Sequence, residues 1–329
     1  MFNTGSLIQS VNIYLVENIL HTVVVLVVVL ALVKLLRVRD AALRAILFLV
    51  PVVIPLISAP SFYLFFPQRQ KLPVLAADRL LNVEKWLSSW PLWSVLSPLL
   101  TSIVLAIFAF LLVKGLVSLW SLLRLPSHFR ALPEGEEPRL DALLAGLLGQ
   151  TGVSRPRILV AEEERSLCCA FGLHRSYLLL SRGLMEHLDD ASLKGILAHE
   201  VAHIKRRDGW LNFLLLTFRN VLFFNPLVHF LCDAVLQESE MATDRLAISL
   251  VGKPAGYAQC LLDVGHRCRE DEAIFRLQGT RACFVSKNQG FKRRLTSIMD
   301  YSQRPVPYYQ RWLPWATAAP MFPVLFFLC

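Results

Sequence analysis

Two stretches of this chain carry no charged residue and are long enough to leave the aqueous phase altogether: Ala45–Phe66, with 22 residues, and Ser94–Val113, with 20. As helices rising about 1.5 Å per residue, each spans a hydrocarbon layer of roughly 30 Å. A third segment, 13–36, is uncharged and very rich in Val and Leu between Asn18 and Val33, and Lys34 can snorkel to the interface. Transmembrane helices are therefore expected at about 13–36, 45–66 and 94–113, making residues 1–125 a membrane domain. With 55% hydrophobic and 18% charged residues among 329, an ordinary soluble domain is excluded. The net charge of +9 is spread over the chain and marks no nucleic-acid surface, so no direct nucleic-acid binding is expected. Seven cysteines, an odd number with no CxxC pair, read as free thiols. No removable signal peptide is read at the N-terminus, where the first apolar segment stays as an anchor.

Arg37, Arg39 and Arg44 follow the first span and Lys114, Arg124 and Arg130 follow the third, so the positive-inside rule places both on the cytoplasmic side. Residues 126–311 form the extended polar region, opened by the breaker-rich Leu132–Pro138, and are expected to be a cytoplasmic domain. Within it, Arg157–Ala161 and Tyr177–Ser181 read as strands and Asp190 as the cap of a long helix from Ala191. Residues 312–329 are uncharged and proline-interrupted, barely long enough for a fourth span.

The chemistry lies in His199-Glu200-Val201-Ala202-His203. Histidines four apart leave one helical face and can grip one zinc ion, with Glu200 as the general base. A catalytic zinc site normally has three protein ligands and one open position. Glu240, in an ExxxD pair with Asp244, is the candidate third ligand; Asp244 would accept the second N–H of a ligand histidine. Glu238, on a different helical face, is the weaker alternative. Leu211–Leu231 is apolar enough to cross a membrane, but a single crossing would separate His203 from Glu240. Asn225-Pro226 interrupts it, so a re-entrant or membrane-contacting hairpin is expected. For oxyanion stabilisation His174, Arg175, His229 and Arg245 are all open, and 168–173 is a candidate edge for an extended substrate.

Three segments in this order, HEVAHIKRRD from His199, FNPLV from Phe224 and EMATD from Glu240, resemble the integral-membrane zinc peptidases of the BlaR/MecR family, the beta-lactam sensor-transducers of bacteria. The resemblance implies a mainly α, polytopic protein with four transmembrane helices and an inserted α+β gluzincin-like zinc metallopeptidase domain, seated in the bacterial cytoplasmic (inner) membrane. It also implies cleavage of a cytoplasmic helix-turn-helix repressor, and self-cleavage, for which the basic segment Lys287–Leu295 is the candidate. The expectation is a member lacking the extracellular sensor domain, because these residues contain neither S-x-x-K nor K-T-G; the expected partners are then a second copy in a homodimer or a separate sensor subunit, beside the lipid bilayer. Two alternatives stand beside it: a quality-control or processing protease resembling HtpX-like or CAAX-processing enzymes, and a non-catalytic zinc-containing receptor.

Overall fold

The computed structural model describes residues 4–65, 89–162, 167–269, 288–300 and 312–328. The chain is mainly helical with one small sheet, and it divides into two compact units, residues 1–113, 215–238 and 305–329 in one and residues 114–214 and 239–304 in the other.

The first unit contains α1 (Thr4–Leu35), α2 (Ala41–Phe65) and most of α3 (Trp93–Arg124). These three helices supply the candidate membrane spans Ser10–Leu35, Ala41–Ser58 and Trp93–His128. The third is longer than the 20 uncharged residues suggest, because a lone Lys114, even with Gly115 after it, does not end a helix that Leu116 and Val117 carry on. Its outward face is apolar, with Val95, Leu99, Ile103 and Phe110 exposed, as lipid solvation requires. The interior of the unit is more polar: Asn12, Glu17, Asn18, His21 and Thr22 of α1 are all buried. Asn12 donates to Thr101 Oγ1 of α3 at 2.9 Å.

The apolar stretch 211–231 is divided between two helices, α7 (Asp208–Val221) and α8 (Pro226–Val251), both of which continue into the second unit. Asn225 makes the break. Its Oδ1 accepts from Leu227 N at 3.1 Å, capping α8 one residue before Pro226, where a missing N–H costs nothing. Its Nδ2 donates to Asn18 Oδ1 and Thr22 Oγ1, both at 2.9 Å. Arg44 of α2, read in the sequence as a topological charge, is spent on an ion pair with the buried Glu238 at 2.8 Å. The last helix, α11 (Leu313–Leu328), packs on α2 and α1; it has 16 residues, about 24 Å of rise, and is not among the three candidate spans.

The second unit is built on a four-stranded sheet ordered β1-β2-β4-β3, from β1 (Arg130–Ala131), β2 (Arg157–Ala161), β3 (Cys168–Phe171) and β4 (Tyr177–Ser181). β2 and β4 are parallel, with Leu159 opposite Leu179, and their alternate side chains enter two separate apolar clusters. β3 pairs antiparallel with β4 and leaves its other edge unpaired by any strand among the described residues. Helices α4 (Pro138–Thr151), α5 (Arg182–His187), α6 (Asp190–Arg206), α9 (Pro254–Arg269) and α10 (Asn288–Met299) complete the unit. α6 is its central element, packed on α4, β3 and α9 through Leu193, Ile196, Leu197 and Val201, each buried. Its cap is Asp189, whose carboxylate accepts from Ser192 N at 3.0 Å, one residue earlier than the Asp190 expected from sequence. The flexibility expected around Gly290, in the segment 287–295 named as the candidate for self-cleavage, is corrected: residues 288–299 form α10, so Gly290 lies in a helix; Lys287 falls outside the described residues.

Candidate metal centre

Spacing within α6 puts His199 and His203 one turn apart on the same face, with Glu200 turned toward the sheet. Their Nε2 atoms meet at 3.0 Å. Glu240, on α8, completes the group: Oε1 is 3.7 Å from His203 Nε2 and Oε2 is 3.7 Å from His199 Nε2. One donor atom from each of the three lies within 4.8 Å of the others, which is the compass of a single ion.

The contacts of the far nitrogens turn the near ones toward Glu240 and each other. α6 stops at Arg207, whose left-handed backbone (φ 58°) turns the chain sharply into α7. The turn folds Asp208 back so that its Oδ2 accepts from His203 Nδ1 at 2.7 Å. Thr243 Oγ1 at 3.1 Å and Arg206 Nε at 3.2 Å donate to the same oxygen and hold it. On the other ring, Tyr257 O–H donates to Asp244 Oδ1 at 2.7 Å, so the phenol oxygen accepts from His199 Nδ1 at 2.8 Å. Asp244 Oδ1 is itself 3.2 Å from that nitrogen. With both Nδ1 atoms donating, the two Nε2 atoms face each other at 3.0 Å beside a carboxylate, an arrangement that calls for positive charge between them, a shared proton or a metal ion. The residues therefore fit a tetrahedral nitrogen- and oxygen-binding ion such as zinc, for which Zn–N of about 2.0–2.1 Å sets similar ligand separations.

The electrostatics agree. Burial alone would lower His203, but the Asp208 hydrogen bond, together with Glu240 and Glu200, raises it to about 9, a measure of how strongly this pocket draws a positive charge. Burial raises the Glu200 carboxyl, against the opposing pull of His203, His199 and a short 2.6 Å hydrogen bond from Ala170 N on β3. Burial also opposes ionisation of Asp244, yet the Arg294 guanidinium beside it holds the carboxyl well below the usual range.

The centre opens on a cleft walled by β3 residues Cys168–Phe171 and by Ser176, Gly209 and Asn212. Two glycines permit that wall: Gly172 has φ +107°, and a Cβ on Gly209 would run into the Gly172 carbonyl. Glu238, the alternative ligand, is turned to Arg44 instead. None of His174, Arg175, His229 or Arg245 is among the residues lining the cleft. His174 packs edge-on against Trp210, and His229 Nε2 lies 3.4 Å from the Phe223 carbonyl.

Three residues of the centre escaped sequence reasoning. Asp208 was within reach, as the last residue of HEVAHIKRRD. Arg294 carries a subtler signal, an arginine on the stripe Phe291, Leu295, Ile298 that α10 buries. Nothing local marks Tyr257.

Comparison with known proteins points the same way. The chain is similar to a protease HtpX homolog of Thermococcus sibiricus, 29% identical over 140 residues, or 37% of this chain and 48% of the relative. A protease HtpX homolog of Aquifex aeolicus is 35% identical over 81 residues, 24% of this chain and 27% of the relative. The regulatory protein BlaR1 of Staphylococcus aureus is 24% identical over 210 residues, 63% of this chain and 34% of the relative. The matched region thus spans about half or less of each of these proteins. Residues 13–298 match the family described as BlaR1 peptidase M56, and the chain belongs to that family of membrane peptidases.

Proposed function

We propose that the chain is a membrane-embedded zinc endopeptidase that cleaves a cytoplasmic protein, in a BlaR/MecR-like pathway a transcriptional repressor. The observation that carries this reading is the convergence of His199, His203 and Glu240 with Glu200 one residue from the first ligand and hydrogen-bonded to the edge strand. In this reading His199, His203 and Glu240 hold zinc, Asp244 and Asp208 orient the histidines, and the chemistry supplied by the bound ion is Lewis acidity toward a carbonyl and a water molecule. Glu200 takes the proton of the attacking water and returns it to the leaving amine. Its burial suits that work, since a carboxylate with raised proton affinity can hold the proton between the two steps. Ala170 N–H keeps Oε2 in place meanwhile. β3, an edge strand forming the cleft wall, suits an extended peptide added alongside.

The wider proposal is a bacterial inner-membrane protein with the gluzincin-like unit in the cytoplasm, α11 as a fourth span and the turn at Asn225 in contact with the bilayer. Arg37, Arg39 and Arg124 support that orientation. Self-cleavage loses its motive at 288–295, where the chain is helical and Arg294 buried. A second reading, quality-control proteolysis, is favoured by the relatives named HtpX homologs, and the repressor reading by the longer coverage of BlaR1.

The test is hydrolysis by the purified full chain in detergent, of a repressor encoded beside its gene and of an unfolded membrane protein. Chelator should abolish cleavage and zinc restore it. Cutting of the repressor at one bond supports the transducer reading; cutting of the unfolded protein alone supports quality control; no zinc-dependent cutting of either defeats both.

A further inference from the structure

Arg294 is 2% exposed and sits on the apolar stripe of α10, anchored by the buried Phe291 and Ile298 on either side. An arginine is costly to bury, so what it touches decides its role. Nε donates to Asp244 Oδ2 and Nη2 to Asp244 Oδ1, both at 2.7 Å. The remaining Nη1 lies 3.1 Å from Glu240 Oε2. One planar guanidinium thus binds two carboxylates of α8 that stand one turn apart.

We propose that Arg294 is a positioning residue that fixes Asp244 and Glu240 together and keeps Glu240 a one-oxygen metal ligand. The proposal rests on the metal reading above and deepens it. Each link is geometric. Asp244 Oδ1, seated by Arg294, is the oxygen that receives the Tyr257 hydroxyl and lies 3.2 Å from His199 Nδ1, so the guanidinium acts through Asp244 on the first histidine. On Glu240, each oxygen stands 3.7 Å from one histidine Nε2, Oε2 from His199 and Oε1 from His203; Nη1 occupies Oε2, so Oε1 is the oxygen that the guanidinium leaves to the ion. A carboxylate held by one oxygen leaves a coordination position open, which a hydrolytic site needs and a two-oxygen carboxylate would fill. Only a rigid fork does this. Lysine presents one nitrogen and cannot reach three oxygens on two residues in a fixed plane.

The experiment uses the full chain in detergent, stripped of metal, with zinc alone and cobalt(II) alone as probes. Zinc affinity is measured by competition with a chromophoric chelator, coordination by the visible bands of the cobalt form, and fold by melting without metal. Arg294→Lys keeps the charge and loses the fork; Arg294→Met loses both. The expected result is zinc bound about 10- to 100-fold more weakly by Arg294→Lys, with cobalt bands weakened as coordination rises above four, and a larger loss in Arg294→Met. The proposal is overturned if a variant that melts like the wild type binds zinc with wild-type affinity and shows unchanged cobalt bands. It is also overturned if both variants lose cooperative melting, since Arg294 would then be purely structural. Failure of the wild-type chain itself to bind zinc refutes the metal reading and this role with it, whereas a wild-type chain that binds zinc beside unaffected variants refutes this role alone.

Discussion

Gly195→Ala tests whether the packing of α6 on α9 governs the metal centre. Gly195 lies one turn before His199. A Cβ there would meet Cys260 Sγ at 3.0 Å, Cys260 Cβ at 3.5 Å and Tyr257 Cδ2 at 3.9 Å. The sulfur has little room to withdraw, because it is buried and its S–H donates to the Ser192 carbonyl at 3.1 Å. In a helix interior the change from glycine to alanine would by itself stabilise by about 0.5–1 kcal/mol. Overpacking typically costs about 1–3 kcal/mol, so the clash outweighs the propensity gain and a net loss of about 1–2 kcal/mol is expected. The strain reaches the site because Tyr257 and Cys260 share a face of α9: moving the helix to relieve the sulfur draws the Tyr257 oxygen from its 2.8 Å contact with His199 Nδ1. Zinc affinity should therefore fall with stability, by up to about tenfold. Cys260→Ala removes the obstructing atom, so Gly195→Ala should be neutral or stabilising in that background. The assay is a double-mutant cycle with denaturant melts and chelator competition on all four proteins. Additive effects, or a Gly195→Ala protein with wild-type stability and affinity, would refute the reasoning.

Burial pushes the Cys260 thiol up to about 12, so at pH 8 on the order of one in ten thousand is ionised and iodoacetamide should leave it unmodified in the native chain. Because the shift is upward, labelling should rise with pH toward that value or on unfolding; mass spectrometry showing prompt native labelling at pH 8 would contradict it. Tyr257→Phe removes two hydrogen bonds yet leaves Asp244 Oδ1 3.2 Å from His199, so it should weaken zinc less than Asp208→Ala, which removes the 2.7 Å acceptor of His203. Equal losses in chelator competition would show that the phenol, not Asp244, orients the ring. Asn225→Asp keeps the cap on α8 but sets a carboxylate against Asn18 Oδ1 and Thr22 Oγ1, so it should melt lower than Asn225→Ala. The reverse order would mean that the cap matters more than the docking.

The sequence made the spans and both ends of the histidine pair legible because each obeys a local rule: an uncharged run of bilayer length, and a four-residue spacing on one helical face. Strands 157–161 and 177–181 were read at their observed bounds, since Leu, Val and Ile alternate between two apolar clusters there. What orients the histidines was less legible. Tyr257 stands 58 residues from His199, and only the packing of α9 on α6, permitted by the missing Cβ at Gly195, brings them together. Arg294 was misread for a physical reason too. Flanked by Lys292 and Arg293, it looks like part of a solvated basic run, and only its register on α10 turns it inward. The start of α6 moved by one residue because adjacent aspartates, Asp189 and Asp190, are equally good caps by composition.

The central claim is that Glu200 moves protons while His199, His203 and Glu240 hold metal, and Glu200→Gln separates the two jobs. Glutamine keeps the size of the side chain, and its amide oxygen can still accept from Ala170 N. It cannot take a proton from water. Zinc content and substrate hydrolysis should be measured on one preparation of the full chain. The account predicts a near-stoichiometric zinc complex that no longer cleaves, with hydrolysis down by at least about 100-fold; a zinc-loaded Glu200→Gln protein that cleaves at the wild-type rate would contradict it.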